Sequence, residues 1–487
     1  VPPTDRDHTR HWRFAIVLAI TAAALARVIG FPFSIIDDPS NVVNNPLVAA
    51  PLSQGVMGLL RTTAMGYPHT VTVLSFAIDR QLWGVDPAGY HAVNLVLHLV
   101  NALLVYALLL RVRIPASIAW LPAAIFALHP IMVEPAAWVI GRKDLLAAGL
   151  VLGAMLNVAH GPDDTAGPLR DPRWIESSLL CVLAIFSKPS AIMAPALMFI
   201  FIRAVRPRWP LRYLFIGQLP AVAAGAFTIL AGVPGLQDQG ALVRRSSGEI
   251  AVDVVRAWAL QVQHVLWPSN LLAEYERSAL DDPPIRVIVF AALVTAAVAY
   301  AGWRYAGRRS VGRMALLFVP IAYLPAAGLL PTWHWTADSY FYLPMAGVAM
   351  ATAAALHRVW RPAFTAAAWM LVAVLAVLSY RQAWTWSSGS ATFGPVAAHY
   401  ASDPRPLNRL AFAYLYENNP DAAAPLFVKL ERMAPDFPYN RAQRAWAAYR
   451  LGDRELGDRV KRKCEALGDS QCLAEIASFA AAVPSRR

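Results

Sequence analysis

Two aspartates stand side by side at Asp37–Asp38, in the run Ile-Ile-Asp-Asp-Pro-Ser-Asn. Adjacent carboxylates just after an apolar segment suit two kinds of chemistry: taking the proton of an attacking hydroxyl, or holding a divalent cation. A purely local role is also open to them, as a turn or helix cap before Pro39. Further on, His91, Asn94, His98 and Asn101 recur at spacings of three, four and three, which sets them on one face of a helix. Such a face is costly against lipid, so it points into a bundle or a wet cavity. It serves either a substrate or the interhelical hydrogen bonds that fix packing. His91 lies nearest the helix end and is the functional candidate of the four. A zinc site would need a third ligand at matching depth, and none is identifiable.

A third group reads His129-Pro-Ile-Met-Val-Glu134, then Gly141-Arg142-Lys143-Asp144. Neighbouring cations at a membrane boundary suit a phosphate, bidentate from Arg and a point charge from Lys, or act as snorkelling anchors. Lys188, in Phe-Ser-Lys-Pro-Ser, has no carboxylate near it in sequence and so also calls for an anion. The run Trp333 to Tyr342 adds Asp338 and Tyr340 to an aromatic cluster of the kind common at membrane interfaces. Together these groups suit an amphiphilic substrate with an anionic head.

The elements that must position them follow from composition. Of 487 residues, 57% are hydrophobic and only 15% charged, with a mean hydropathy of +0.43. This excludes a disordered chain, a disulfide-rich mini-domain and an ordinary soluble enzyme. Eleven apolar windows fall near 14–30, 92–110, 117–135, 144–159, 174–187, 189–205, 213–231, 285–303, 314–330, 341–356 and 362–380. With a cytoplasmic N-terminus, the inner segments carry 17 Lys and Arg in 57 residues, against 9 in 132 for the outer ones. That asymmetry follows the positive-inside rule and accounts for much of the net charge of +12 without nucleic acid. It puts the groups above, and everything after about Arg381, on the outer side.

The tail divides into two units offset by 34 residues, Pro406–Tyr439 and Asn440–Leu473. Ala411-Phe412-Ala413 aligns with Ala445-Trp446-Ala447, and Asn419 with Asp453 at the turn between helices. A helix–turn–helix period of this length is the tetratricopeptide pattern. Two units are fewer than a free-standing array needs, so they are expected to lean on the membrane domain. An extracytoplasmic position permits a Cys464–Cys472 disulfide without requiring one. With Cys181, the cysteines give neither zinc spacing nor a redox motif.

The ordered motifs resemble a known family. Asp-Asp-Pro-Ser-Asn-Val-Val-Asn-Asn-Pro (37–46), Tyr-Pro-His-Thr (67–70), Trp-Gly-Val-Asp-Pro-Ala-Gly-Tyr-His (83–91) and Leu-His-Pro-Ile-Met-Val-Glu-Pro (128–135) come first. Gly-Arg-Lys-Asp-Leu-Leu (141–146), Phe-Ser-Lys-Pro (186–189) and Ala-Asp-Ser-Tyr-Phe-Tyr-Leu-Pro (337–344) complete the set. This series is similar to the TMTC-type GT-C glycosyltransferases and their bacterial relatives, over roughly residues 30–480. The resemblance implies transfer of a monosaccharide, with inversion, from a polyprenyl-phosphate donor to a hydroxyl acceptor, often Ser or Thr of a protein. It implies that Asp37 or Asp38 is the general base and that Arg142, Lys143 and Lys188 neutralise the leaving phosphate. His91, His129, Glu134, Asp338 and Tyr340 are expected in the substrate pocket. Two arginines of the family pattern are absent. Tyr67-Pro68-His69 lacks one and Ser339 replaces the other; His69, partly charged at neutral pH, is the candidate substitute.

The expectation is thus an all-α polytopic membrane protein, with a GT-C-like bundle of about eleven spans in residues 1–380. A small extracytoplasmic tetratricopeptide-like helical domain follows in 381–487. The expected location is a bacterial inner membrane, with the active site and C-terminal domain in the periplasm. The expected partners are the lipid-linked sugar donor, a protein or glycan acceptor and membrane lipids, and not nucleic acid. No obligatory metal is expected, although the carboxylate pair is compatible with a divalent cation. Rival readings are transfer to a lipid or envelope glycan, a transporter of lipid-linked sugar, and a non-catalytic scaffold. Transport would predict inverted repeats and helices interrupted at mid-membrane, and no internal symmetry of that kind is visible.

Overall fold

The computed structural model describes residues 11–60, 67–159, 172–206, 209–238, 245–276, 283–305, 311–327, 335–437 and 440–482. Trp333, in the last aromatic cluster, and Tyr439, which ends the first repeat unit, lie outside the described residues. Among those described, all regular structure is helical. The chain divides into two compact units, Val1–Trp386 and Ser387–Arg487.

The first unit is a multi-pass membrane bundle. The helix Pro87–Arg111 shows how its sequence works. Asp86 caps its start by accepting from Ala88 N at 3.0 Å, Pro87 takes the first position, and Arg111 closes the last turn. Its buried face carries Tyr90, His91, Asn94, His98 and Asn101, while Val96, Val100 and Leu103 are exposed on the other side. Polar inside and apolar outside is the arrangement lipid demands. The helix Ala116–Leu128 is apolar all round and buried along almost its whole length, as a central helix should be.

That central helix bends by 55° into the segment Pro130–Ala137. The break at His129-Pro130 frees carbonyls that apolar surroundings cannot satisfy. His98 Nε2 takes the Ala127 carbonyl at 2.9 Å, and Ser379 Oγ takes that of Leu128 at 2.6 Å. Tyr342 hydroxyl in turn bonds His98 Nδ1 at 2.9 Å, and Asn101 Nδ2 donates to it at 3.1 Å. This polar row therefore stabilises the bend that delivers Glu134.

Among the described residues, each of the eleven apolar windows falls largely on helix. Among the described residues, six helices are long and apolar enough to cross a membrane, or seven if the bent pair forms one span. The remaining windows are shorter, such as Pro189–Val205 and Val311–Ala326, or start on charge, as Arg142–Ala159 does. Two longer helices, Thr70–Trp83 and Ser247–Leu266, lie between the apolar windows, in stretches expected on the outer side; the second is the longer. A Ser246–Glu249 capping box starts it, and it buries Asp253, Arg256, Gln261 and His264 on one face. Those polar residues keep its hydropathy too low to register as a span.

The second unit stacks the helices Gly389–His399, Pro404–Tyr416, Pro420–Met433, Arg441–Arg450, Arg454–Ala466 and Ser470–Ala482. Asn419 and Asp453, 34 residues apart, both cap helix starts, accepting from Ala422 N at 3.2 Å and Leu456 N at 3.1 Å. Its core is built of small residues, Ala411, Ala423, Ala424, Ala447 and Ala448, around Phe427, so the helices approach closely. The buried Arg444–Glu431 pair, at 2.6 Å, ties neighbouring hairpins. Cys464 and Cys472 form a disulfide.

Candidate functional site

Beyond the first helix the chain extends and then turns at Asp37, whose φ of 63° is left-handed. Among non-glycine residues, Asp and Asn adopt that conformation most readily. The turn separates the two acids. Asp38 is fully buried, and both its oxygens are engaged: Oδ2 accepts from Ser34 N at 2.8 Å and Oδ1 from Ile140 N at 3.1 Å. Burial pushes its carboxyl up to about 8, outweighing those two donors. Asp38 is thus a tie between the first loop and the turn Val139–Gly141, not a free proton acceptor. The Asp37 side chain is only partly buried, has no hydrogen bond among the described residues, and has Lys143 as a charged neighbour.

The same turn starts the helix Arg142–Ala159 and points its first two residues in different directions. Arg142 turns inward. Its side chain is fully buried, with Nε on Asn94 Oδ1 at 2.8 Å, one terminal nitrogen on Tyr90 carbonyl at 2.7 Å, and the other paired with Asp79. Asn94 spends its own amide on the carbonyls of Trp138 and Val139. Arg142 therefore departs from the phosphate role expected of it, because it is fully buried and each of its three guanidinium nitrogens already holds a protein partner.

Lys143 is different. It forms no salt bridge or hydrogen bond among the described residues; its ammonium lies 4.8 Å from the Trp138 ring centroid. Asp144, Lys188, Asp37 and Glu134 surround it electrostatically. Lys188 pairs with Asp144, so the structure supplies the carboxylate that the local sequence lacks, and its ammonium stands 5.0 Å from the Tyr340 ring centroid. His69 sits beside both lysines with Nδ1 on the Tyr67 carbonyl at 2.7 Å. Burial, aided by the lysines, pushes its imidazole down to about 3. It is neutral at physiological pH and cannot replace a missing arginine charge.

The structure brings Asp37, Lys143, Lys188, Glu134 and Tyr340 into one neighbourhood, with Asp144 among them. Glu134 accepts from Ser339 N at 3.3 Å, and Asp338 is its strongest charged neighbour. Two residues lie apart from the lysines in their bonding. His129 spends Nε2 on Val265 carbonyl at 3.0 Å and Nδ1 on Ile131 N at 3.3 Å, as the cap of the bend. His91 reaches Pro32 carbonyl at 3.4 Å, and its Nδ1 is buried without a partner.

Sequence reasoning missed four contributors: Asp79, Asp144, His264 and Tyr275. Asp338 Oδ1 lies 3.0 Å from His264 Nδ1 and accepts from Tyr275 hydroxyl at 2.9 Å. Gln261, one turn before His264, donates to the Ala337 carbonyl at 3.0 Å. The signal for this helix was present as the one-sided spacing of Asp253, Arg256, Gln261 and His264. Among the described residues no group of three or more His, Cys, Asp or Glu side chains is arranged to hold a metal ion. Chemically, the described residues of the site combine one free carboxylate, one unpaired cation, one paired cation and a buried carboxylate cluster.

No family model matches the chain. It is similar to human protein O-mannosyl-transferase TMTC1, 37% identical over 137 residues, covering 26% of this chain and 16% of that protein. Drosophila melanogaster protein O-mannosyl-transferase Tmtc1 is 36% identical over 138 residues, covering 28% and 15%. Human TMTC4 is 27% identical over 230 residues, covering 41% and 31%. The matched stretch thus spans under a third of each relative's own length. Among solved structures, ArnT from Cupriavidus metallidurans bound to undecaprenyl phosphate aligns at 15% identity and TM-score 0.42, covering 92% of this chain and 75% of that one. The Archaeoglobus fulgidus oligosaccharyltransferase tethered with an acceptor peptide aligns at 16% and 0.42, covering 77% and 55%.

Proposed function

We propose that this protein is an integral membrane glycosyltransferase that moves a monosaccharide from a polyprenyl-phosphate donor to a hydroxyl of a protein Ser or Thr. The observation that carries this reading is Lys143, a cation without a hydrogen bond or ion pair among the described residues, set beside Asp37, whose carboxylate has no hydrogen bond among them. The similarity to protein O-mannosyl-transferases supports it and favours mannose as the sugar.

In this reading Lys143 meets the donor phosphate, and Lys188 supports it from its pair with Asp144. Asp37 takes the proton of the acceptor hydroxyl while that oxygen bonds the anomeric carbon. The bond from that carbon to the phosphate oxygen breaks, and its electron pair leaves with the phosphate. The developing charge is stabilised by ammonium groups in a site with little water. A single displacement inverts the anomeric configuration. Asp38 and Arg142 hold Asp37 and Lys143 in place without touching substrate.

The proposed location is a bacterial inner membrane with this site and the C-terminal unit in the periplasm. The charge asymmetry of the loops supports that orientation, and the Cys464–Cys472 disulfide suits an oxidising compartment. The proposed test incubates the reconstituted protein with lipid-phosphate-linked radiolabelled mannose and a periplasmic protein extract. Label released from protein by alkaline β-elimination supports the reading; label found only in lipid or glycan contradicts the protein acceptor.

A further inference from the structure

Trp138 touches the chain on both sides of the proposed reaction. Its indole N–H donates to the Ile36 carbonyl at 3.2 Å, and the Lys143 ammonium lies 4.8 Å from its ring centroid. Ile36 directly precedes Asp37. The same Ile36 carbonyl accepts from Asp38 N at 2.7 Å, closing a three-residue turn with Asp37 at its centre. The φ of 63° at Asp37 is of the hand that makes such a turn rare and strained. A residue in so sparsely populated a conformation stays there only where its surroundings fix it. A carbonyl oxygen accepts two hydrogen bonds, and the second one here comes from an indole 102 residues along the chain.

The backbone of Trp138 is anchored independently of its side chain. Its N–H donates to the Glu134 carbonyl at 3.0 Å, and its carbonyl accepts from Asn94 Nδ2 and from Gly141 N, each at 3.0 Å. Trp386 stacks on the indole, with ring centroids 5.7 Å apart. The indole is therefore a stiff plate on a fixed base. A ring also holds an ammonium differently from a carboxylate. It attracts the charge without neutralising it or taking up its N–H donors, whereas Asp144 takes a donor of Lys188.

We propose that Trp138 is a positioning residue for sugar transfer, its N–H holding the turn that presents the Asp37 carboxylate and its ring holding the Lys143 ammonium beside it. One indole thus sets the spacing between the group that takes the acceptor's proton and the group that meets the phosphate. The two functions belong to different parts of the side chain and can be removed separately. This rests on the reading of the protein as a lipid-phosphate-sugar transferase and deepens it.

The test measures kcat and donor KM of the reconstituted full chain with radiolabelled mannosyl-phosphoryl-undecaprenol and a protein acceptor. Trp138→Phe keeps a ring for the ammonium and loses the N–H. It should lower kcat by about five- to tenfold, the size of a lost hydrogen bond, and leave KM within about twofold. Trp138→Leu loses both and should also raise KM by about fivefold, the size of an ammonium–ring contact. In an Asp37→Asn background, Trp138→Phe should cost less than about twofold more, because the N–H acts through Asp37. Trp138→Tyr, which likewise keeps a ring and lacks the indole N–H, takes the place of Trp138→Phe should that variant not fold. Losses that multiply in the double variant would reduce Trp138 to packing and overturn the proposal. So would an unchanged kcat in Trp138→Phe, or the same KM in Trp138→Phe and Trp138→Leu. A wild type that turns over no lipid-phosphate sugar overturns the transferase reading and this role with it, whereas wild-type turnover with multiplying losses overturns the role alone.

Discussion

Asp38 accepts the backbone N–H of Ile140 at 3.1 Å, and that bond joins the loop after the first helix to the turn that delivers Lys143. The two acids of the Asp-Asp motif therefore have different work. One fixes the geometry of the site, and its neighbour, held in a left-handed turn, keeps its carboxylate free.

Substitutions should separate them. Asp37→Asn is expected to lower sugar transfer by about 10²- to 10⁴-fold, the range for loss of a general base, with an unchanged melting temperature. Asn tolerates the left-handed φ as well as Asp does. Asp38→Ala should instead destabilise the first unit by about 1–3 kcal/mol, because two buried N–H groups lose their acceptor. Thermal unfolding and turnover measured on both variants check the split.

The cations should divide in the same manner. Arg142→Ala leaves Asp79 buried without its partner, which costs about 3–5 kcal/mol, and the loss should appear in unfolding midpoints. Removing Asp79 as well should restore part of that stability. Lys143→Ala should leave the midpoint nearly unchanged and weaken binding of polyprenyl phosphate. A Lys143→Ala protein that binds lipid phosphate normally would remove the cation from the site.

The pH dependence of stability has a defined sign. The Asp38 carboxyl is near 8 in the folded protein against 3.8 ordinarily, so between those values the folded state holds the extra proton and stability falls as pH rises. His69, near 3 against 6.5, acts oppositely, its contribution falling away as pH drops through that lower window. Above about 6.5 His69 no longer contributes, and the Asp38 slope continues to about 8. Asp38→Asn should abolish the decline of melting temperature across pH 6.5 to 8 attributable to this group; an unaltered slope would contradict the assignment.

Reduction should be felt within the second unit. The Cys464–Cys472 bond closes a short loop, for which chain-entropy reasoning gives about 2.5 kcal/mol. A reductant, or Cys464→Ser, should lower the unfolding midpoint of the Ser387–Arg487 unit, followed by hydrogen exchange in its last two helices.

Much of this was legible in the sequence where periodicity or composition carried it. The face from His91 to Asn101 read as inward, and all four of its residues are buried. Hydropathy located the helices of the bundle because lipid leaves no other outlet for apolar runs. What local pattern could not carry were the pairings across the bundle. Nothing near Arg142 in sequence reveals Asp79, 63 residues earlier, or gives Lys188 its partner Asp144, 44 residues away. A cation's availability depends on such partners, and so Arg142 and Lys143, adjacent in the chain, looked alike. The helix Ser247–Leu266 was missed because it buries Asp253, Arg256, Gln261 and His264 beside its apolar residues, and those polar groups lower the hydropathy that a window detects.

The measurement that tests the central claim most directly is donor turnover by wild type, Asp37→Asn and Lys143→Ala in reconstituted membranes, using radiolabelled polyprenyl-phosphate sugars. The account predicts turnover by wild type, loss in Asp37→Asn with donor binding intact, and loss of binding in Lys143→Ala. Turnover unchanged in both variants would contradict it.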